Sequence, residues 1–144
     1  VAYLSFMAKT PRQKLVEKLD RIYSEYVRLF ETDENGYGNC VTCNARKFYK
    51  EADCGHFITR AKKSTRWLHQ PPLVNASLQC KQCNMNGGQQ YVHGQVLDAK
   101  YGEGTADEVL RLSNLPVKYS QAELMEMVEK YKIKLTNLKV TKHL

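Results

Sequence analysis

Two Cys-x-x-Cys turns, Cys40-Val-Thr-Cys43 and Cys80-Lys-Gln-Cys83, constrain this chain more than any other feature. Zinc takes four soft ligands in a tetrahedron, and each such turn presents two thiolates to one ion. Closing a single site brings together segments with 36 residues between them. Asn-Gly and Gly-Asn turn signals precede the first pair, as in a zinc-binding hairpin, and a helix-like stretch follows the second. A four-cysteine site is coordinatively closed, so the expected zinc, one per chain, is structural and takes no part in chemistry. Five cysteines is an odd number, which argues against a closed disulfide framework. The opening "VAYLSFMAKT" lacks the basic region and cleavage site of a signal peptide, which fits a reducing compartment. Cys54, the cysteine left over, is expected to be a buried free thiol.

Helical segments flank the cysteine-bounded middle. Thr10-Pro11-Arg12-Gln13 supplies an N-cap, a proline at the first helical position and a glutamine at the third. Leu15, Leu19, Ile22, Tyr26, Leu29 and Phe30 then form one apolar stripe, predicting a structural helix over 10–31. Within "KFYKEADCGHFI" a short strand is expected, with Gly55 marking a bulge or a close backbone approach. Gln90 to Tyr101 reads as a helix ending at Gly102, and Gly87-Gly88 as a break before it. Thr105-x-x-Glu108 and Ser120-x-x-Glu123 predict two further capping boxes. Leu124, Val128, Tyr131, Leu135 and Leu138 form a stripe that reads first as core packing and alternatively as a dimer seam. One domain over 1–144 is expected, with an N-terminal helix at 10–31, a zinc-containing core at 37–101 and a helical tail at 105–138.

Lys and Arg total 22 against 15 acidic residues, a net charge of +7 with a pI near 9.2. That excess favours a polyanionic partner. Charge alone does not separate nucleic acid from anionic lipid, and no window approaches the roughly 20 apolar residues that a membrane span needs. Arg60, Lys62, Lys63, Arg66 and Trp67 stand together in "RAKKSTRW", cations beside an aromatic that suit a phosphate backbone and an unstacked base. His69, just beyond, is a further candidate for phosphate contact.

His56 precedes the second cysteine pair, Asn75 stands five residues before Cys80, and Asn84 follows Cys83 directly. This order resembles the HNH, or ββα-metal, nucleases, whose final histidine is often an asparagine, here Asn84. "NASLQCKQCN" resembles the ending N-x-x-x-x-C-x-x-C-H/N of that superfamily. More narrowly, "LDRIYSEYVRLF", "GNCVTCN", "EADCGHFITR", "STRW", "KYGEGTADEVLRL" and "VKYSQAEL" are similar to the phage NinG family, also called Rap. The resemblance runs from about residue 10 to 138. Some members carry a further cysteine-rich segment at the N-terminus, which this sequence does not show.

The resemblance implies an α+β fold: a zinc-stapled ββα-metal core, treble-clef-like, with flanking helices. It also implies a recombination endonuclease that cleaves branched DNA of the Holliday junction or D-loop type, in the cytoplasm of a bacterium hosting a phage or prophage. His56 takes the role of general base or, alternatively, binds the metal itself, with Asn84 a ligand of a catalytic Mg²⁺ or Mn²⁺; Asn75 orients the histidine or braces its loop. Many HNH enzymes place a metal-binding aspartate immediately before the histidine, where this sequence has Gly55. Asp53, three residues before His56, is the nearest replacement: in a strand, residues one or three before His56 both point to the face opposite it, so the parity survives but the reach changes. A two-fold junction cut symmetrically suggests a homodimer. A non-catalytic zinc module that binds nucleic acid, and a sequence-specific HNH enzyme acting on linear duplex, are the alternatives.

Overall fold

Helix α1 (Pro11–Phe30) begins where the sequence predicts it in the computed structural model, which describes residues 8–144. The Thr10 hydroxyl accepts from the Gln13 amide at 3.1 Å, and the Gln13 side chain accepts from the Thr10 amide at 2.8 Å. Most of the opening segment read for a leader lies outside the described residues. Five side chains of α1 are buried, Leu19, Tyr23, Tyr26, Val27 and Leu29. They face the last helix, Gln121–Lys142, which Ser120 and Glu123 open with a second capping box. Leu124, Val128 and Tyr131 are buried there, while Leu135 and Leu138 pack on the same core. The C-terminal stripe is therefore internal packing against α1.

Short strands lie between these helices. β1 (Tyr37–Asn39) and β2 (Arg46–Phe48) form an antiparallel hairpin whose loop carries Cys40 and Cys43. A single 3₁₀ turn, Tyr49–Glu51, interrupts the stretch expected as one strand. β3 (Asp53–His56) then pairs antiparallel with β6 (Ala76–Gln79). The connection between them holds the short helix α2 (Lys63–Arg66) and a two-residue ladder, β4 (His69–Gln70) on β5 (Leu73–Val74). All four β6 residues are buried, with Ala76 in the core of α1 and the last helix and Leu78 beside Leu29, Tyr49 and Ala52. The chain continues through α3 (Lys81–Met85), α4 (Gln90–Tyr101), α5 (Thr105–Ser113) and α6 (Gln121–Lys142). Among the described residues the fold is mixed α+β, mostly helical, with three small two-stranded sheets.

Gly87 and Gly88 break the chain between α3 and α4, both at positive φ (80° and 76°). The box expected at Thr105 is not formed. Gly104 holds the N-cap position at φ 91°, and Thr105 already lies inside α5. Its hydroxyl donates back to the Leu97 carbonyl at 3.4 Å, and the Asp98 carboxylate of α4 accepts from the Ala106 amide at 2.9 Å. A side chain from the preceding helix thus supplies the cap.

Two histidines are core residues. His69, 2% exposed, lies edge-on to Phe30 and Tyr26 with ring centroids 4.6 and 5.3 Å away, so it does not reach phosphate. His93 is fully buried, with Nε2 3.1 Å from the Ser77 hydroxyl. Burial, foremost, pushes each pKa down to about 4. Between that value and the ordinary 6.5, the unfolded chain binds protons that the folded chain refuses. The stability from keeping these rings neutral is complete above about pH 6.5 and is lost as the pH falls toward 4, by at most about 1.4 kcal/mol per pH unit for each ring. Urea denaturation of the zinc-loaded protein is expected to shift to lower midpoints from pH 6.5 to 5. His69→Phe should make that dependence shallower, and an unchanged slope would remove His69 from the explanation.

Candidate functional site

The two knuckles meet. The Sγ atoms of Cys40, Cys43, Cys80 and Cys83 lie within 4.8 Å of one another, and Cys43 and Cys80 are 3.8 Å apart. A tetrahedron with Zn–S bonds of about 2.3 Å has sulfur edges of about 3.8 Å, so donor set and spacing are those of a structural zinc site. Burial works against the Cys40 thiolate, but the amides of Cys80, Cys43 and Thr42 and the Thr42 hydroxyl outweigh it, bringing the thiol down to about 6. Cys80 also caps α3, its sulfur accepting from the Cys83 amide. The Val41 amide donates to the Leu78 carbonyl at 3.0 Å, sewing the first knuckle to β6.

This arrangement fixes α3 against β3. Asn84, on α3, donates through Nδ2 to one Asp53 carboxylate oxygen at 3.0 Å, and Lys81 meets the other at 2.7 Å. Burial would raise the Asp53 carboxyl, but these hydrogen bonds, with the charges of Lys81 and Arg28, hold it below the ordinary carboxylate value. His56 ends β3 with Nε2 3.0 Å from the Arg66 carbonyl. A carbonyl only accepts, so Nε2 carries the proton and Nδ1 keeps the lone pair. Burial, with Arg60 and Arg66 nearby, pushes the ring down to about 4, leaving it neutral at physiological pH. Asn75 is fully buried and braces the loop after His56, accepting from the Ile58 amide at 2.9 Å and donating to the Ile58 carbonyl at 3.1 Å.

Asp53, His56 and Asn84 line one open cavity of about 500 Å³. Its floor includes Asp20, Ser24 and Arg28, set at helical spacing along α1, so the helix expected to be purely structural turns a polar stripe to the site. Four lining residues are cationic (Arg28, Lys50, Arg60, Lys81) and two anionic (Asp20, Asp53). Arg28 is held by the Ser24 carbonyl and hydroxyl and the Tyr49 carbonyl. Lys81 sits inside a cysteine pair and was legible only as its filler. Ser24 and Arg28 gave a four-residue polar spacing that would have flagged the helix face.

The basic segment is rearranged. Asp20 accepts from Arg66 Nε and Nη2, at 3.1 and 2.6 Å, and from the Trp67 indole N–H at 2.8 Å. Trp67 is 4% exposed in the α1–α6 core, so it offers no stacking face to a base. Arg60 is exposed, 3.6 Å from Asp20; Lys62 reaches the Asn114 side chain at 3.2 Å; Lys63 is exposed. Cys54 packs against the core, and burial pushes its thiol up to about 12, outside the four-thiol cluster.

The sequence matches the family described as Bacteriophage Lambda NinG protein over residues 5–141. The chain belongs to the NinG family. No curated protein and no solved structure matches it. No helix among the described residues is long and apolar enough to cross a membrane.

In this NinG chain the residue before His56 cannot carry a carboxylate. β3 and β6 pair without a bulge, from Asp53 opposite Gln79 to His56 opposite Ala76. A Cβ on Gly55 would stand 2.2 Å from Gln79 Oε1 and 2.8 Å from Gln79 Cβ. Gln79 fills that space to donate to Thr42 Oγ1 at 3.1 Å and to the Gly88 carbonyl at 2.8 Å. The close-approach reading of Gly55 holds, and the bulge does not form. Gly55→Ala is expected to destabilise the zinc-loaded protein by about 1–3 kcal/mol in chemical denaturation, the cost of overpacking a filled site; a neutral change would contradict the contact. Metal analysis should find one zinc per chain. Cys80→Ser should abolish it and melt the fold, since such sites supply on the order of 10 kcal/mol; a native-like, zinc-free variant would exclude a structural role.

Proposed function

We propose that this protein is a divalent-metal-dependent endodeoxyribonuclease of the HNH, or ββα-metal, type, acting in bacterial cytoplasm on branched recombination intermediates. The observation that carries the reading is the contact of Asn84 with Asp53 beside a neutral His56, at the mouth of a cavity with excess positive charge. β3, β6 and α3 supply a strand pair followed by a helix, with the four-thiol cluster at their junction. Family membership supports phage recombination as the setting.

Asp53 and the side-chain oxygen of Asn84 would hold a hard Mg²⁺ or Mn²⁺, whose bound charge stabilises the scissile phosphate and the leaving 3′ oxygen. The Asn84 amide now presents nitrogen to Asp53, and a half-turn of that amide presents oxygen instead. His56 accepts a proton at Nδ1 from the attacking water, its ring held by the Arg66 carbonyl. A phosphate diester in the cavity raises the low pKa of the ring, because a nearby anion favours the protonated form. Arg28, Lys50 and Arg60 bind phosphate oxygens, so affinity falls steeply with salt. Exposed Lys62 and Lys63 extend that contact; Arg66 acts through its Asp20 pair, and Trp67 stays in the core. Asn75 fixes the loop that carries the His56 ring.

The Lys81–Asp53 ion pair favours a second reading, a zinc module that binds nucleic acid without cutting it, because an ammonium already neutralises the carboxylate. Incubation of four-way junction and linear duplex DNA with Mg²⁺, with Mn²⁺ and without added divalent ion separates the two. The nuclease reading expects metal-dependent cutting of the junction. It also expects a roughly 10²–10⁴-fold loss of rate in His56→Ala, with binding in the absence of added metal retained. Binding without cutting under every condition supports the second reading, and cutting that survives His56→Ala removes His56 as the base.

A further inference from the structure

A chain of adjoining cavities leads away from the proposed phosphate site. The cavity holding Asp53 shares His56, Arg60 and Asn84 with a neighbour of about 350 Å³ at Gly87 and Gly88. That neighbour shares Phe57 and Gln90 with a third cavity of about 350 Å³. Along this line the chemistry changes. The third cavity is walled mainly by Phe57, Ile58, Tyr91, Gly94, Ala106 and Leu110. Among its described lining residues there is no Lys, Arg or His. Tyr91, on the first turn of α4, is 80% exposed, a large aromatic face kept at the rim of an apolar hollow.

Resting on the nuclease reading above, we infer that this third cavity receives an unstacked nucleobase from the branch point of the DNA, with Tyr91 as its stacking face. A base is flat, neutral and apolar on its faces, which suits walls without cations, whereas phosphate suits the basic cavity two steps away. Gln95 and Asp107 at the rim offer partners to a base edge. Asp98 is already engaged with the Ala106 amide. Gly94 keeps the wall low: a Cβ there would stand 3.0 Å from the Phe57 ring. Continuity with the phosphate cavity through Phe57, Gln90, His56 and Asn84 places base and backbone of one strand on a single path. An intact duplex has no free base to offer, so selectivity for branched DNA follows from this pocket.

The test uses the zinc-loaded full chain without added Mg²⁺ or Mn²⁺, so that binding is read apart from cutting. Probes are a four-way junction carrying 2-aminopurine at its branch point and a linear duplex of the same composition. Tyr91→Ala should weaken junction binding roughly tenfold and duplex binding less than about twofold, as expected for loss of one stacked base. Tyr91→Phe, which keeps the stacking face, should match wild type. The 2-aminopurine signal should change on wild-type binding and not with Tyr91→Ala. Equal loss on both DNAs, or no loss on either, overturns the inference; the latter result would leave the cavity to a protein partner. If the wild type binds the junction and Tyr91→Ala is unaltered, only the pocket assignment fails. If the wild type binds neither DNA, the nuclease reading fails with it.

Discussion

The meeting of four thiols from two distant knuckles is the constraint on which the site depends. Cys40 and Cys43 come from the β1–β2 loop, Cys80 and Cys83 from the N-cap and first turn of α3, and their sulfurs lie within 4.8 Å of one another. α3 has five residues and no buried side chain, too little to hold itself in place by packing. What locates it is the cysteine cluster at its start, together with β6 immediately before it. Asn84 follows Cys83, so fixing the knuckle sets Asn84 against Asp53 and Lys81 beside both. The metal expected to be inert in chemistry therefore determines the geometry of the residues proposed to perform it.

α1 serves in two ways. Its apolar face packs on α6 through Leu19, Tyr23 and Val27, and Tyr23 donates to the Leu68 carbonyl at 2.8 Å. From α6, Tyr131 donates to the Trp67 carbonyl at 2.5 Å. The segment carrying Arg66 is thus held from both helices, and the Arg66 carbonyl in turn fixes the His56 ring. The other face of α1 supplies Asp20, which gathers Arg60, Arg66 and Trp67, and Arg28, which adds positive charge near Asp53. Helix packing and site chemistry are consequently coupled through a few residues around position 67.

Much of this was legible in the sequence where the signal is local. Thr10 with Gln13 and Ser120 with Glu123 are reciprocal hydrogen bonds written three residues apart, and both form. The cysteine pairs, the break at Gly87-Gly88 and the end of α4 at Gly102 are local in the same sense. Failures arise where a distant residue decides. Arg66 and Trp67 look like a surface patch until Asp20, 46 residues from Arg66, claims both. Thr105 looks like a cap until Asp98 of the preceding helix takes that role. The crowding of Gly55 by Gln79 depends on the β3–β6 register, which no pattern inside either strand reveals. The polar stripe of α1 was hidden because Asp20, Ser24 and Arg28 are ordinary residues for a solvated helix face.

The central proposal is that the oxygen-based cation site at Asp53 depends on the four-cysteine cluster, which sets Asn84 beside it. Paramagnetic broadening by Mn²⁺, titrated into zinc-loaded, ¹⁵N-labelled protein, tests it most directly. Broadening should be strongest at Asp53 and at the backbone and side-chain amides of Asn84, next at Lys81, and absent from distant positions such as Val140. It should disappear in Asp53→Ala. Broadening centred elsewhere, or spread evenly over the surface, would contradict the claim.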